Sequence, residues 1–516
     1  MLTPRVSRRS VIWSIGGGVV AALVAACGGA PASPTAAPVA PTSVPKPTQA
    51  PASAAAPAAP TAASAAPTTA PAAPTTAPAV APTVGATATA ASSSAAAPTP
   101  AAATFNLTTE NIELWFQGHV AGGQAEQKAY DDTLQSWQKL HPNIKVRYQV
   151  VPDVERIQKV TAEVAANQAP DLWRHNYGVI RLWASQGQLL DLTDRLKGYD
   201  KLFLPAFMAA SLYKGHIWGL PHTTDTSALF YRQDALDAIG VKAPTDVKDA
   251  WTYEQFGQIC DQLMKAGKQQ FAFTENQGGG RWVPSYLYSS GGRLVTPDFS
   301  KIAINSPEGI RALQFVKQWF DKKWTPTDVW MVWITSRPNG DTDPFVRGET
   351  SMGMLGLWNI TYLDENIKDR FKWGVTYEPR DKVQSTSMGG TPIVGWAKTK
   401  HPEETAAFMS YFVSPEMMKM FDEMANYLPT RLDLSSQNLT YATRPDLVST
   451  FQKQDAFLPL DYVSFVARSY SSGIGTIVNE ETTKMTTQGQ TPEQTAKNIE
   501  TRGNKYIQEN PDPEMK

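Results

Sequence analysis

The chain has 516 residues, of which 42% are hydrophobic and 18% charged. Its two cysteines, Cys27 and Cys260, exclude a disulfide framework and a cysteine-built zinc site. Arg5, Arg8, Arg9 and Lys46 are the only charges before residue 105, so the remainder sets 43 bases against 48 acids, a net of −5 with no basic run. That balance argues against nucleic acid as a partner and against electrostatic adsorption to anionic lipid.

The first predicted element is an export leader. Arg5, Arg8 and Arg9 form a positive n-region, and Val11 to Ala26 is an apolar run too short for a permanent membrane span. The Arg8-Arg9 pair after Ser7 resembles a twin-arginine export signal, with Val11-Ile12 where Phe-Leu is usual; general secretion stays open. Leu23-Val24-Ala25-Ala26-Cys27 resembles a bacterial lipobox, whose cysteine is lipidated and begins the mature protein. The plainer alternative is a signal peptide with an incidental cysteine. Two or three acyl chains on Cys27 would anchor the protein to a membrane stably, where one would not.

Gly28 to Thr104 is an Ala/Pro/Thr/Ser tract whose one charge is Lys46. It cannot bury enough apolar surface to offset ordering entropy, so a disordered tether is expected, reaching on the order of 200 Å if polyproline-like. O-glycosylation of the tract and an inert spacer are both open, the spacer being simpler. The foldable part is about 105–516, enough for one large or two medium lobes.

Within that head, Asn111 to Gln117 reads as a strand, and Tyr130, Leu134 and Trp137 make a helical stripe over Ala125 to Leu140. Ile144 to Val151 alternates as a strand, Val154 to Asn167 returns to helical spacing, and Pro170 to Trp173 begins a third strand. A β-α-β-α-β order implies a parallel sheet flanked by helices, with ligands beyond the carboxyl ends of the strands. That rule picks out Gln117 and His119, then Arg174, His175 and Asn176. Ser306-Pro307-Glu308, Ser414-Pro415-Glu416 and Thr491-Pro492-Glu493 each predict a helix start, with a capping hydroxyl, Pro at the first helical position and an acid in the first turn. No 20–50-residue repeat is present, which excludes a solenoid or propeller.

Further landmarks follow in order: Ala169-Pro170-Asp171-Leu172, Gly187 to Leu192, Gly219-Leu220-Pro221, Ala228 to Asp234, Ile239-Gly240-Val241, Trp251 to Phe256, Phe345 to Met352, and Leu428-Pro429-Thr430-Arg431. Together with the lipobox leader, their order over nearly all of 105–516 resembles the extracellular solute-binding proteins of sugar ABC importers, the group containing maltose-binding protein. The resemblance implies a two-lobed α/β periplasmic-binding-protein fold with a hinge, preceded by the tether. By analogy the first lobe is about 105–221 plus 385–428, and the second about 222–384 plus 429–516. Ligand would touch both lobes only when they close and so shift the population toward closure. It also implies a membrane permease as partner, a monomer, no cofactor and no catalysis.

The resemblance carries over candidate site residues. His119 stands where the family usually has an acid, and Arg174, His175 and Asn176 form a second contact loop. Asp225 matches an acid that accepts hydrogen bonds from hydroxyls, with His222 beside it. Trp358, after the apolar run Met352 to Leu357 and next to Asn359, matches a sugar-stacking ring; Trp282 is second, and Trp330 and Trp333 are weaker. Most of the 15 tryptophans are expected in the core, Trp251 among them. Gly389-Gly390 reads either as close backbone approach to a ligand or as a plain turn. Arg431 reads as lining the cleft or capping a helix, and each polar candidate has an exposed loop side chain as its plain alternative.

Met417, Met418, Met420 and Met424 read as core filler rather than a copper box, Gly278-Gly279-Gly280 as a turn without the Lys-Ser/Thr of a phosphate loop, and Cys260 as a small buried hydrophobe. The leading expectation is a lipid-anchored receptor that captures a carbohydrate. A cell-surface glycosidase would need paired carboxylates; Asp225 with Glu155 or Glu378 makes no clear pair. A receptor for a metal would use His119, His175, His222 and Asp225, and an anionic or otherwise non-sugar solute is open through Arg174, Arg281 and His119.

Overall fold

The computed structural model describes residues 104–275, 282–327, 344–512 and 514. Cys27, the tether up to residue 103, the 278–281 turn with Arg281, Trp330 and Trp333 lie outside the described residues.

Two sheets organise the head. The larger contains β1 (Ile112–Gly118), β2 (Ile144–Val150), β3 (Leu172–Arg174), β4 (Leu220–Thr224), β9 (Thr391–Gly395) and β10 (Leu428–Pro429), in the order β10-β4-β9-β3-β1-β2. The smaller contains β5 (Ser227–Arg232), β6 (Phe271–Glu275), β7 (Thr350–Gly356) and β8 (Trp373–Thr376), in the order β8-β5-β7-β6. The predicted β-α-β-α-β unit is present: β1 pairs parallel with β2 and β3, through crossovers α1 (Gly123–Leu140) and α2 (Asp153–Ala165). Sequence reading did not foresee β9, which enters antiparallel between β3 and β4.

Strand alternation sorts the core. In the larger sheet Leu172 and Ile393 face one apolar cluster with Phe116, Tyr130, Phe412 and Phe421. Their neighbours Trp173 and Val394 face another with Tyr177 and Trp183. In the smaller sheet Leu229, Met352 and Met354 join one cluster, and Phe230, Leu355 and Val375 the opposite one. Each such side chain, fully enclosed, contributes about 1.5–3 kcal/mol. Trp251 and Cys260 lie in the first of these two clusters, as filler, and Met417 and Met418 are buried on α7 (Pro415–Ala425).

All three predicted helix starts are capped. Ser306 accepts from Gly309 N–H, Ser414 from Met417 N–H and Thr491 from Gln494 N–H, each with Pro in the first turn. They begin α4 (Pro307–Asp321), α7 and α11 (Pro492–Glu509). The remaining helices used below are α3 (Tyr253–Ala266), α5 (Asn359–Ile367), α6 (Pro402–Phe412), α8 (Pro445–Asp455), α9 (Leu460–Val466) and α10 (Ser471–Thr487). Thr252 and Gln255 close a reciprocal capping box at the start of α3.

Candidate functional site

Strand polarity brings the chemistry to one edge of each sheet. In the larger sheet β1, β3 and β4 run out at Gly118, Arg174 and Thr224; β9 and β10, antiparallel to β4, enter on the same edge at Thr391 and Leu428. In the smaller sheet β6, β7 and β8 run out at Glu275, Gly356 and Thr376, and β5 enters there at Ser227. The chain passes between these edges at Asp225-Thr226 and again over 377–390. The two passages are joined by hydroxyls: Thr226 to Thr386, and Ser227 to Ser387 at 2.7 Å.

At the larger sheet's edge Arg174 is already answered, whereas Asp422 on α7 is wholly buried with neither carboxyl oxygen hydrogen-bonded among the described residues, and burial pushes its carboxyl well up against the pull of Arg174. Arg174 donates to Glu126 Oε1 at 3.0 Å and to the hydroxyls of Thr391, Thr223 and Tyr130, and its side chain and that of Glu126 are wholly enclosed. The other Glu126 oxygen accepts the Ala121 and Gly122 N–H groups, both at 2.7 Å. Arg174 is therefore a strut that fixes the loop after β1; the expectation that it grips a solute or an anion is corrected by this enclosure.

The other first-edge candidates are buried or tied. Gln117 donates to Glu163 at 3.0 Å, and the His119 carbonyl accepts from the Tyr130 and Tyr148 hydroxyls. The imidazole of His175 accepts the Asn176 N–H at 2.7 Å and stands edge-on to Trp183. Asn176 accepts from Arg156 at 2.6 Å. His222 is stacked on Phe412 and edge-on to Phe421, and neither ring nitrogen has a hydrogen-bond partner among the described residues. Burial, reinforced by Arg174, holds its imidazole well below the usual histidine range.

Asp225 is buried at the first passage, over the Gly389 backbone: a Cβ on Gly389 would lie 1.6 Å from its Oδ1. Gly390, at φ +95°, has the Thr223 carbonyl 2.1 Å from where a Cβ would be. What these glycines admit is the other crossing segment, which corrects the expectation of close approach to a ligand. Arg431 is bidentate on Asp433, at 2.9 Å twice, at the start of the short helix Leu432–Ser435. It stands at the N-cap position of that helix, but its side chain makes no capping hydrogen bond and also donates to the Val413 carbonyl at 3.3 Å.

The smaller sheet's edge is different. Trp358 follows β7, yet its half-buried ring packs against the larger sheet's cluster, so it bridges the two lobes. Gly356 lies directly beneath that ring: a Cβ there would sit 1.8 Å from Cζ3. Beside it Asn359 donates to the Gly356 carbonyl at 3.2 Å, and its Oδ1 has no partner among the described residues. Two residues on, Thr361 donates to the Gly122 carbonyl at 2.6 Å, so the start of α5 touches the loop that Glu126 holds. Trp282, in contrast, is 1% exposed inside the core around α3 and α4, which corrects its reading as a stacking ring.

Sequence reading missed Glu126, Thr361 and Glu275. Glu275 ends β6 and accepts from the Tyr286 hydroxyl at 3.2 Å; the alternating Phe271-Ala272-Phe273 run just before it was the available signal. Glu378, weighed only as half of a carboxylate pair, is 1% exposed just after β8. Burial pushes its carboxyl up to about 8, against hydrogen bonds from Ser285 and Thr386. Among the described residues no three His, Cys, Asp or Glu side chains are placed to hold a metal ion, so His119, His175, His222 and Asp225 do not form a metal group.

This pattern of buried acids, hydroxyls, an amide and one bridging indole at two facing strand edges suits reversible capture of a polar solute. The family model "Bacterial extracellular solute-binding protein" matches residues 118–419. The chain is 23% identical over 319 residues to a maltotriose-binding protein of Pyrococcus abyssi, covering 59% of this chain and 64% of that one, just under two thirds of the relative's length. It is 22% identical over 315 residues to an sn-glycerol-3-phosphate-binding periplasmic protein of Shigella flexneri, covering 57% and 68%. The solved GacH receptor of Streptomyces glaucescens aligns with a TM-score of 0.67 at 22% identity, covering 77% of this chain and 98% of that one. At such identity the likeness carries the fold: two α/β lobes about a hinge.

Proposed function

The chain belongs to the bacterial extracellular solute-binding proteins, and from that membership we propose that it is a carbohydrate receptor of an ABC importer, one that grips its solute and leaves it chemically unchanged. The observation that carries the reading is Trp358: its ring, rooted in the smaller sheet, lies against the cluster of the larger one. A flat indole between two lobes offers apolar area to the C–H face of a pyranose, while Asp225, Asn359 and Glu275 offer acceptors to its hydroxyls. The names of the maltotriose-binding relative and of the acarbose-binding receptor support a sugar. The glycerol-phosphate relative supports a phosphate instead. That reading is weaker here, because the guanidinium of Arg174 is neutralised by Glu126.

In this reading a twin-arginine leader exports the chain, Cys27 is lipidated, and the tether holds a monomeric head off the membrane within reach of the permease. The lobes follow the boundaries implied by the family, about 105–221 plus 385–428 and about 222–384 plus 429–516.

A thermal-shift and scattering screen of the head against maltodextrins, monosaccharides, sn-glycerol 3-phosphate and divalent metals tests the proposal. A saccharide that raises Tm and reduces the radius of gyration is expected; a tight ligand at a hundredfold excess over Kd stabilises by about 2.7 kcal/mol. Hydrolysis products, or a shift with metal or phosphate alone, would overturn it. For the anchor, Cys27→Ser is expected to release the protein from the membrane fraction.

A further inference from the structure

Glu378 is the group that the capture reading leaves without a task. Its Oε1 lies 3.5 Å from the Thr386 hydroxyl, and its Oε2 has no hydrogen-bond partner among the described residues. Two segments cover it. One is the second crossing passage, where Ser385 donates to the Pro284 carbonyl at 2.6 Å and accepts Gln454 Nε2 on its own carbonyl at 3.1 Å. The other is the π-helical turn Val283–Leu287, a rare conformation that recurs at functional sites. The Thr386 hydroxyl has one hydrogen and three acceptors within reach: Glu378, the Ser227 carbonyl at 3.4 Å and Thr226. Glu378 thus sits under the hydroxyl that ties one crossing passage to the other.

The titratable groups facing it from the surrounding elements are Tyr286 on the π turn and Tyr253 on α3; Glu275 at the end of β6 faces the far side of Tyr286, from whose hydroxyl it accepts. Asp381, three residues further along its own loop, is paired with Arg311 at 2.7 Å. No cation among the described residues is paired with Glu378. A carboxylate ionised there would be a buried charge held only by long, shared hydroxyl contacts.

We propose that Glu378 is a positioning residue of the hinge: protonated, it lets the 384–387 passage pack on the π turn, and on losing its proton it draws water in and loosens that passage, so that lobe closure depends on proton concentration. The inference rests on the reading of the molecule as a hinged receptor, but its test needs no solute. The burial that pushes this carboxyl up to about 8 sets the window. A carboxylate with a raised folded pKa contributes stability that is fully present below its unfolded value and is lost as pH rises through the folded one.

The experiment is a pH titration of the full chain from 6 to 10, following intrinsic tryptophan fluorescence, with Trp358 at the lobe junction as reporter, and the radius of gyration. Wild type is expected to show a transition near pH 8, and Glu378→Gln to abolish it while folding normally. Ser285→Ala removes a hydrogen bond that favours the charged form and is expected to move the midpoint upward, a shift that a purely structural role would not produce. A transition that survives in Glu378→Gln, or its absence from wild type, overturns the proposal. A saccharide screen that fails while the transition stands would sink the capture reading alone.

Discussion

The two sheet edges each bury charge, and the Arg174–Glu126 pair of one and Glu378 of the other handle it in opposite ways. At the larger sheet, Arg174 and Glu126 enclose one another and draw in two N–H groups and three hydroxyls. At the smaller sheet, Glu378 is as deeply enclosed and has no countercharge among the described residues. A compensated pair fixes geometry over a wide pH range; a solitary acid ties geometry to protonation. The pair holds one edge fixed, while Glu378 at the other leaves a buried acid without a countercharge among the described residues.

The sharpest way to break the comparison is to strip the compensation. Glu126→Ala leaves an enclosed guanidinium unpaired and frees the 121–122 loop, and is expected to lower unfolding stability by about 3–5 kcal/mol in denaturant titrations. An Arg174→Met/Glu126→Leu double variant is expected to recover most of that loss; no recovery would mean that the pair does more than neutralise itself.

Next in size is Trp358→Ala, which removes the bridging ring. Solute affinity is expected to fall by at least about 2 kcal/mol, some thirtyfold, in calorimetry with the saccharide from the screen. Tm should change little, because the ring is half-buried. Gly356→Ala should weaken binding similarly, since its new methyl would occupy the ring's place.

His222 gives the larger edge an acid limb whose sign is opposite to that of Glu378. His222 is held well below its ordinary value, so it takes its proton more readily when unfolded. Stability is therefore intact above pH 6.5 and falls as pH drops below it, by at most about 1.4 kcal/mol per pH unit. His222→Phe should flatten that acid limb in Tm against pH and leave the alkaline behaviour of Glu378 untouched. The smallest effect is expected from the caps. Ser306→Ala and Ser414→Ala, one in each lobe, should each lower stability by about 1 kcal/mol; a large disparity would show that one lobe unfolds independently.

Local signals were the legible ones. The β-α-β-α-β unit and the Ser/Thr-Pro-Glu helix starts follow from periodicity and capping within a few residues, and they appear where the sequence places them. Position within the assembly was not legible. An alternating run such as Thr391 to Gly395 says that a strand forms, not that it enters between β3 and β4. Trp282 and Trp358 are one residue type with similar flanking glycines, and only long-range packing makes the first core and the second a bridge. Arg174 follows its strand as a ligand contact would, but nothing local announces Glu126, 48 positions earlier, as its partner.

The entry of β9 between β3 and β4 bears on how the polypeptide is made. As the chain is synthesised from its N-terminus, β3 and β4 have no shared neighbour until residue 395 has emerged, and β4 lacks its outer partner until residue 429. The β2-β1-β3 half has all its own strands by residue 174, whereas β4 joins it only through β9, so the sheet becomes continuous late and through non-local pairing.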